Sequence, residues 1–367
     1  MAKRLRSGFT TGACAAAAAK AAVFGLFGGQ GQERVEIPFP DGSRVSFALC
    51  RFQPEADGVF LASVVKDAGD DPDVTNGAEI VAIAARFDDN EPPPRCVEPV
   101  VNGPLLLCAG EGVGVATKPG LPVAMGEPAI NPTPRWMIAE AVVETLAETS
   151  ERARVLVTIS VPNGEALAAK TLNQRLGIVG GLSILGTTGI VRPVSAEAWT
   201  ATISASMDVA RAAGLTEVVL STGRTSERAV QEHLNLPEEA LAMMGDYLDF
   251  SLKAAAIHGF SHIHLAAMWA KAVKAAMGIP QTHVRHGALE AAEAVDFLGS
   301  LGVEPVLLKE LTGVNTAREI YERLIVRGRH DVIRLVCAKA KSFAERTAGL
   351  PVDFYLVDGH GRVVERV

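Results

Sequence analysis

Five glycines stand between Gly177 and Gly189, and the residue pattern changes across them. Downstream, short apolar runs alternate with helical spacings. Glu217–Ser221 reads as a strand followed by a helix over Thr225–Leu234, and His262–Ala266 as a strand followed by a helix over Trp269–Met277. Helical spacing also covers 195–213, with Ser195 as N-cap, and 245–258, 288–301 and 316–326. Residues 304–308, 332–338 and 351–357 read as extended. Such alternation calls for parallel strands covered by helices, because strands that return parallel need a long crossover. Upstream, Thr10 and Thr11 cap an Ala-rich helix over Ala13–Ala22 that Gly28-Gly29 ends. Asp41-Gly42 sits between 35–40 and 44–49 as a hairpin turn. Strands are expected over 59–66 and 154–161, and helices over 75–86 and, with Pro near its start, 132–148. The expectation is an α+β domain over 1–194 and an α/β domain with a mostly parallel sheet over 195–367.

Composition narrows the function classes. The 367 residues suffice for two domains, and the formal net charge of −7 argues against a general nucleic-acid binder. Aromatics are only 5%, so the cores should be aliphatic and closely packed. No apolar stretch reaches membrane-spanning length. Met1–Arg6 is basic, but Lys20 interrupts the alanine run behind it, and no signal peptide is expected. The five cysteines, at 14, 50, 96, 108 and 337, form no CxxC and no paired framework. A reduced, cytoplasmic protein is the simplest expectation.

Several segments carry candidate chemistry. Between Gly110 and Gly120 four glycines alternate with small or charged residues, so the backbone can approach a ligand closely. Pro119, Pro122 and Pro128 deny this stretch a following helix, which makes it a shaped loop and not a dinucleotide turn. The turn Ser221-Thr222-Gly223-Arg224-Thr225-Ser226-Glu227 lies beyond the carboxyl end of a strand, where open α/β sheets bind ligands. An ordinary βα loop with a capping Thr or Ser has the same letters. All eight histidines lie in the C-terminal half. His262 and His264 share one strand face, and His283 and His286 share a loop, but no Cys or carboxylate stands at ligand spacing. No protein-bound metal is therefore expected. Asp67, Asp70, Asp71 and Asp73 read as turn and helix-start chemistry, without the spacing of a calcium loop. Cys14, beside a helix start, reads as either a nucleophile or a small buried residue. Lys118, Arg135, Lys170, Arg175 and Arg192 cluster in the Gly-rich segments, consistent with a pocket for a polycarboxylate or with scattered surface charge.

The segments Leu5–Ala18, Lys66–Gly77, Gly110–Pro134, Asn173–Pro193 and Ser221–Glu227, in that order, resemble the CbiD family, the cobalt-precorrin-5B C1-methyltransferases of cobalamin biosynthesis. The resemblance spans nearly the whole chain. It is looser in the C-terminal third, where Ala266–Lys271 replaces a more glycine-rich stretch. It implies methyl transfer from S-adenosylmethionine to C1 of a cobalt-containing corrinoid. It also implies an α+β N-terminal domain and a Rossmann-like C-terminal domain. The donor is then expected at Thr222, Gly223, Thr225 and Glu227. The tetrapyrrole is expected in the cleft between domains, touching Thr10, Thr11, Gly112, Gly114, Lys118, Lys170 and Arg192. Cobalt would arrive only as part of the substrate. Expected partners are the corrinoid and, transiently, pathway enzymes or a second copy, with no nucleic acid and no membrane. Two rivals are a nucleotide-dependent oxidoreductase, for which no GxGxxG turn is found, and a non-catalytic tetrapyrrole carrier.

Overall fold

The structure is a computed structural model that describes residues 5–87, 93–100, 103–280 and 289–367. The chain divides into two compact units, Met1–Ser195 and Ala196–Val367. In the first, β1 (Gly8–Phe9) leads into α1 (Thr11–Leu26), followed by the hairpin β2 (Arg34–Pro38) and β3 (Arg44–Ala48). Then come β4 (Arg51–Ala56), β5 (Val59–Val65), β6 (Glu79–Arg86), β7 (Cys96–Val97), β8 (Leu105–Ala109), β9 (Val115–Ala116) and α2 (Pro132–Glu148). The unit closes with β10 (Val155–Ser160), α3 (Gly164–Ala168), β11 (Ile178–Val179) and β12 (Ile190–Val191). Six strands form one mixed sheet in the order β4-β5-β6-β10-β8-β7, antiparallel except between β10 and β8.

α1 organises this unit. Alanine has the highest helix propensity, and the Thr10 hydroxyl accepts from Ala13 N at 3.1 Å to cap the first turn. Every residue of α1 except Phe24 and Leu26 is buried, so the helix is wrapped on all sides. Small side chains let it lie close against β5, β6 and α2. A Cβ on Gly12 would stand 2.6 Å from Pro134 Cγ. Lys20 carries the one charge in this helix, and its Nζ reaches Glu144 at 2.7 Å. Arg44 clasps the same carboxylate at 2.9 and 3.1 Å, and hydrogen bonds from Arg44 and then Lys20 pull Glu144 down to a pKa of about 2.

The second unit contains α4 (Ala196–Ala212), β13 (Glu217–Ser221), α5 (Arg224–Leu234), β14 (Leu241–Met243), α6 (Leu248–Ile257), β15 (His262–Met268) and α7 (Trp269–Ala276). It continues through α8 (Ala291–Ser300), α9 (Pro305–Leu311), α10 (Ala317–Val326), α11 (His330–Ala348), β16 (Val352–Val357) and β17 (Val363–Arg366). Its five-stranded sheet has the order β14-β13-β15-β16-β17, parallel except for β17. From β13 the chain steps outward to β14 and then crosses back to β15, so the order reverses between β13 and β15. Val219, Ala266 and Tyr355 pack under α5 on one face, while Val218, Leu220 and Leu265 join the larger core of the other.

Four sequence expectations fail here. Residues 75–86 hold no helix: Asn76-Gly77 turns the chain and Glu79–Arg86 is a strand paired on both sides. Its alanines suggested a helix, but Ile80, Val81 and Ile83 suit the pleated interior. Residues 304–308 are not extended, because Pro305 starts α9 at the one helical position where its missing N–H costs nothing. Residues 332–338 belong to α11, whose buried positions Val332, Ile333, Val336, Cys337, Ala340, Ala344 and Ala348 recur at helical spacing. The cysteines do form a pair. Antiparallel register sets Cys96 opposite Cys108, with Cα atoms 4.0 Å apart, and they are disulfide-bonded. Among the described residues no helix is long and apolar enough to cross a membrane.

Candidate active site

Three of the family-like segments converge in the first unit. Gly8 and Phe9 pair with Val191 and Ile190. Thr11 Oγ1 donates to Leu185 O at 3.2 Å and accepts from Leu185 N at 3.0 Å, and Thr10 N donates to Gly189 O at 3.0 Å. Both threonines are buried, with their hydroxyls engaged by the protein's own backbone. They build the 185–189 loop. The 66–77 segment packs beneath. Arg6 binds Asp67 at 2.5 and 2.8 Å, and Asp71 accepts from Val194 N at 2.8 Å. Lys66 is almost fully buried and pairs with Asp73. Burial opposes ionisation of Asp73, but the Lys66 charge and hydrogen bonds from Lys66 and Thr75 hold its carboxyl below the usual range. These acids are turn and ion-pair residues, with no helix start beside them. Cys14 is buried, and burial pushes its thiol up to about 12, which makes it inert.

The Gly110–Gly120 loop is filled from within. A Cβ on Gly112 would stand 2.0 Å from Val161 O, and those on Gly164 and Gly181 would each stand 2.2 Å from Gly112 O. Gly114 abuts Ile178 and Gly181. The close backbone approach foreseen for a ligand is thus used by the protein's own strands, β9 pairing with β11. This lattice gives the loop one shape. Lys118 lays its stem over Gly177, and its Nζ donates to Arg175 O at 3.1 Å. Arg135 is committed to Glu127 at 2.8 Å and to Ile130 O at 2.6 Å. Lys170 and Arg192 are exposed.

In the second unit the parallel strands bring four turns to one edge. Beyond β13, Ser221 is fully buried, and its Oγ donates to Glu227 Oε2 at 3.0 Å. Glu227 is buried too, so it braces the turn from below. Thr222, Gly223 and Thr225 form its outer surface. Ser226 Oγ donates to Gly223 O at 2.9 Å, and a Cβ on Gly223 would meet nothing within 4 Å. The first turn of α5 adds N–H groups that no helical carbonyl can satisfy. Beyond β14, Trp199 Nε1 donates to Met244 O at 3.3 Å, and the Trp199 and Tyr247 rings stack with centroids 6.4 Å apart. Asp246 forms an ion pair with Lys271, which stands just beyond β15. Burial, then the neighbouring Lys274 charge, lowers Lys271 to about 8. Sequence reasoning missed this ion pair and the aromatic shelf. Their signal was position, since Asp246, Tyr247 and Lys271 all follow the carboxyl ends of parallel strands. His262 and His264 lie at the opposite edge of the sheet, and His283 and His286 fall outside the described residues.

A mixed-sheet unit followed by a unit with a mostly parallel sheet, whose turns gather where the strand order reverses, defines a mixed α/β protein. The chain belongs to the CbiD family: the family description CbiD matches residues 1–193, and CbiD, C-terminal domain, matches 281–367. It is 56% identical to a cobalt-precorrin-5B C(1)-methyltransferase of Desulfotalea psychrophila, over 98% of this chain and 97% of that one. It is 47% identical to the protein of that name in Geotalea daltonii, over 98% of both chains. A crystal structure of a cobalamin biosynthesis protein (cbiD) from Archaeoglobus fulgidus is 27% identical, with a TM-score of 0.41, covering 72% of this chain and 77% of that one.

Proposed function

We propose that this protein methylates C1 of cobalt-precorrin-5B in cobalamin biosynthesis, with S-adenosylmethionine as donor. The observation that carries the reading is 56% identity along almost the full length of a relative with that activity in its name. In this reading the second unit holds the donor at its carboxyl edge and the first unit holds the corrinoid.

The donor fits what the edge offers. Open space over Gly223, the N–H groups of the first α5 turn and the flat Trp199–Tyr247 pair suit a nucleoside with a charged tail. Thr222 and Thr225 supply hydroxyls on that surface, and Glu227 acts beneath it through Ser221. A bound sulfonium supplies an already activated methyl group. The protein's share is then alignment, exclusion of water and care of the ring proton. The rigid glycine lattice of the first unit would present a fixed wall to a macrocycle. Lys118, Lys170 and Arg192 would meet its carboxylates. Cobalt enters and leaves with the substrate.

The test is an anaerobic turnover with cobalt-precorrin-5B and methyl-labelled S-adenosylmethionine, followed by mass spectrometry and carbon NMR. Label at C1 is expected. Corrinoid bound without label transfer would replace the enzyme reading with that of a carrier.

A further inference from the structure

We propose that the second unit carries a divalent-metal site of the zinc class at the amino edge of its sheet, held by His262, His264 and Asp353 with Glu217 as fourth ligand. The site is independent of the methyl-transfer reading and lies at the other end of the strands.

Strand geometry assembles it. Alternation puts His262 and His264 on one face of β15, with ring centroids 4.8 Å apart. Parallel register sets His264 beside Asp353 of β16, and Glu217 of β13 beside His262. One ligand atom from each of His262, His264 and Asp353 lies within 4.8 Å of the others. His264 Nε2 is 3.0 Å from Glu217 Oε2, and His262 Nε2 is 3.6 Å from Asp353 Oδ2. Tetrahedral bonds of about 2.0–2.2 Å place ligand atoms roughly 3.3–3.6 Å apart, so the three-residue group must draw in from 4.8 Å and Glu217 joins it through its contact with His264.

The surroundings match a ligand set. His264 Nδ1 is 3.1 Å from the Tyr355 hydroxyl, which in turn reaches Asp353 Oδ2 at 3.4 Å. Nε2 faces the Glu217 carboxylate, which can only accept, so without metal Nε2 donates there; an ion would replace that proton and leave Nδ1 to donate to Tyr355, the arrangement that orients a metal-binding imidazole. Arg366 holds Asp353 Oδ2 at 2.7 Å, while Asp353 Oδ1 has no partner among the described residues. The His262 side chain is three-quarters buried, yet its ring makes no hydrogen bond among the described residues, its nearest charged contact being Asp353 at 3.6 Å. Two imidazoles and two carboxylates favour zinc or its transition-metal neighbours over calcium or magnesium, which take oxygen sets. Such an ion would clamp β13, β15 and β16 together about 13 Å of strand away from the carboxyl edge, a bracing role.

The experiment uses the untagged full-length protein, stripped with chelator and titrated with Zn²⁺ by calorimetry, with thermal melts alongside. One equivalent bound and a raised melting temperature are expected. The Co²⁺-substituted protein should show the visible absorption of a tetrahedral nitrogen–oxygen site. His262→Ala and Asp353→Asn should each weaken Zn²⁺ binding at least tenfold. Circular dichroism of the metal-free variants checks that they fold, and His262→Gln serves if the alanine variant does not. Failure of the wild-type chain to take up one equivalent, or equal uptake by wild type and both variants, overturns the proposal.

Discussion

At the scale of single residues, the glycines divide into those that pack and those that leave room. Gly181 has φ +159°, and an added Cβ would stand 2.2 Å from Gly112 O and 2.7 Å from Val113 N. Gly181→Ala should cost on the order of 3 kcal/mol or more, measured by denaturant unfolding, because backbone must yield. Gly223 is the opposite case. Its extended φ of 171° suits any residue, and open space surrounds it. Gly223→Val should leave the melting temperature unchanged and weaken S-adenosylmethionine binding about tenfold, one pKd unit or about 1.4 kcal/mol, by calorimetry. Unchanged affinity would move the donor elsewhere. Glu144 gives the pH prediction. Its folded pKa of about 2 lies below the unfolded value of about 4.3. Its contribution is therefore complete above about pH 4.3 and is lost as pH falls toward 2. Urea melts at pH 5 and pH 3 should show Glu144→Gln losing less stability on acidification than the wild type.

At the scale of elements, legibility followed local signal. The hairpin about Asp41-Gly42, the capped α1, α2 with its early Pro132, and β13 with α5 were all readable, because each carries its own turn or cap chemistry. The β6 and α11 errors share a cause. Windows of a few residues cannot tell a β-branched helix face from a strand, or an alanine-bearing central strand from a helix. Within the candidate sites, the motif segments were legible as stretches of sequence, but their partners were not. Nothing in the letters pairs Thr11 with Leu185, Asp246 with Lys271, or His264 with Asp353: the first two meet through tertiary packing of helix and loop, the last through sheet register. The disulfide is another product of register, and it yields a direct test. Native protein without reductant should show one fast-reacting thiol, exposed Cys50, while Cys14 and Cys337 react only after unfolding. Five reactive thiols on unfolding without reductant would mean Cys96 and Cys108 are unpaired in solution.

At the scale of the whole molecule, each unit owns its core. One apolar cluster runs through α4, α6, α7, α11 and the second sheet, and another surrounds α1 in the first unit. A fragment spanning Ala196–Val367 should therefore fold cooperatively alone and, if the donor reading holds, bind S-adenosylmethionine within about threefold of the full chain's affinity, by calorimetry. The first unit is differently placed. Its opening residues are stitched to its last ones: Thr11 bonds Leu185 across 174 positions, and Gly8 pairs with Val191. On a ribosome, α1 emerges early, while the loop that seats its first turn follows on the order of ten seconds or more later. Through that interval a helix destined for burial on nearly every side has no finished cavity to enter. We expect stalled nascent chains to stay protease-sensitive until residue 191 has cleared the exit tunnel, and to turn resistant in a single step. Gradual protection would point to an earlier resting place for α1. The seam that makes the finished unit rigid also makes its synthesis a period of exposure, a demand on the cell's holding chaperones that the folded shape conceals.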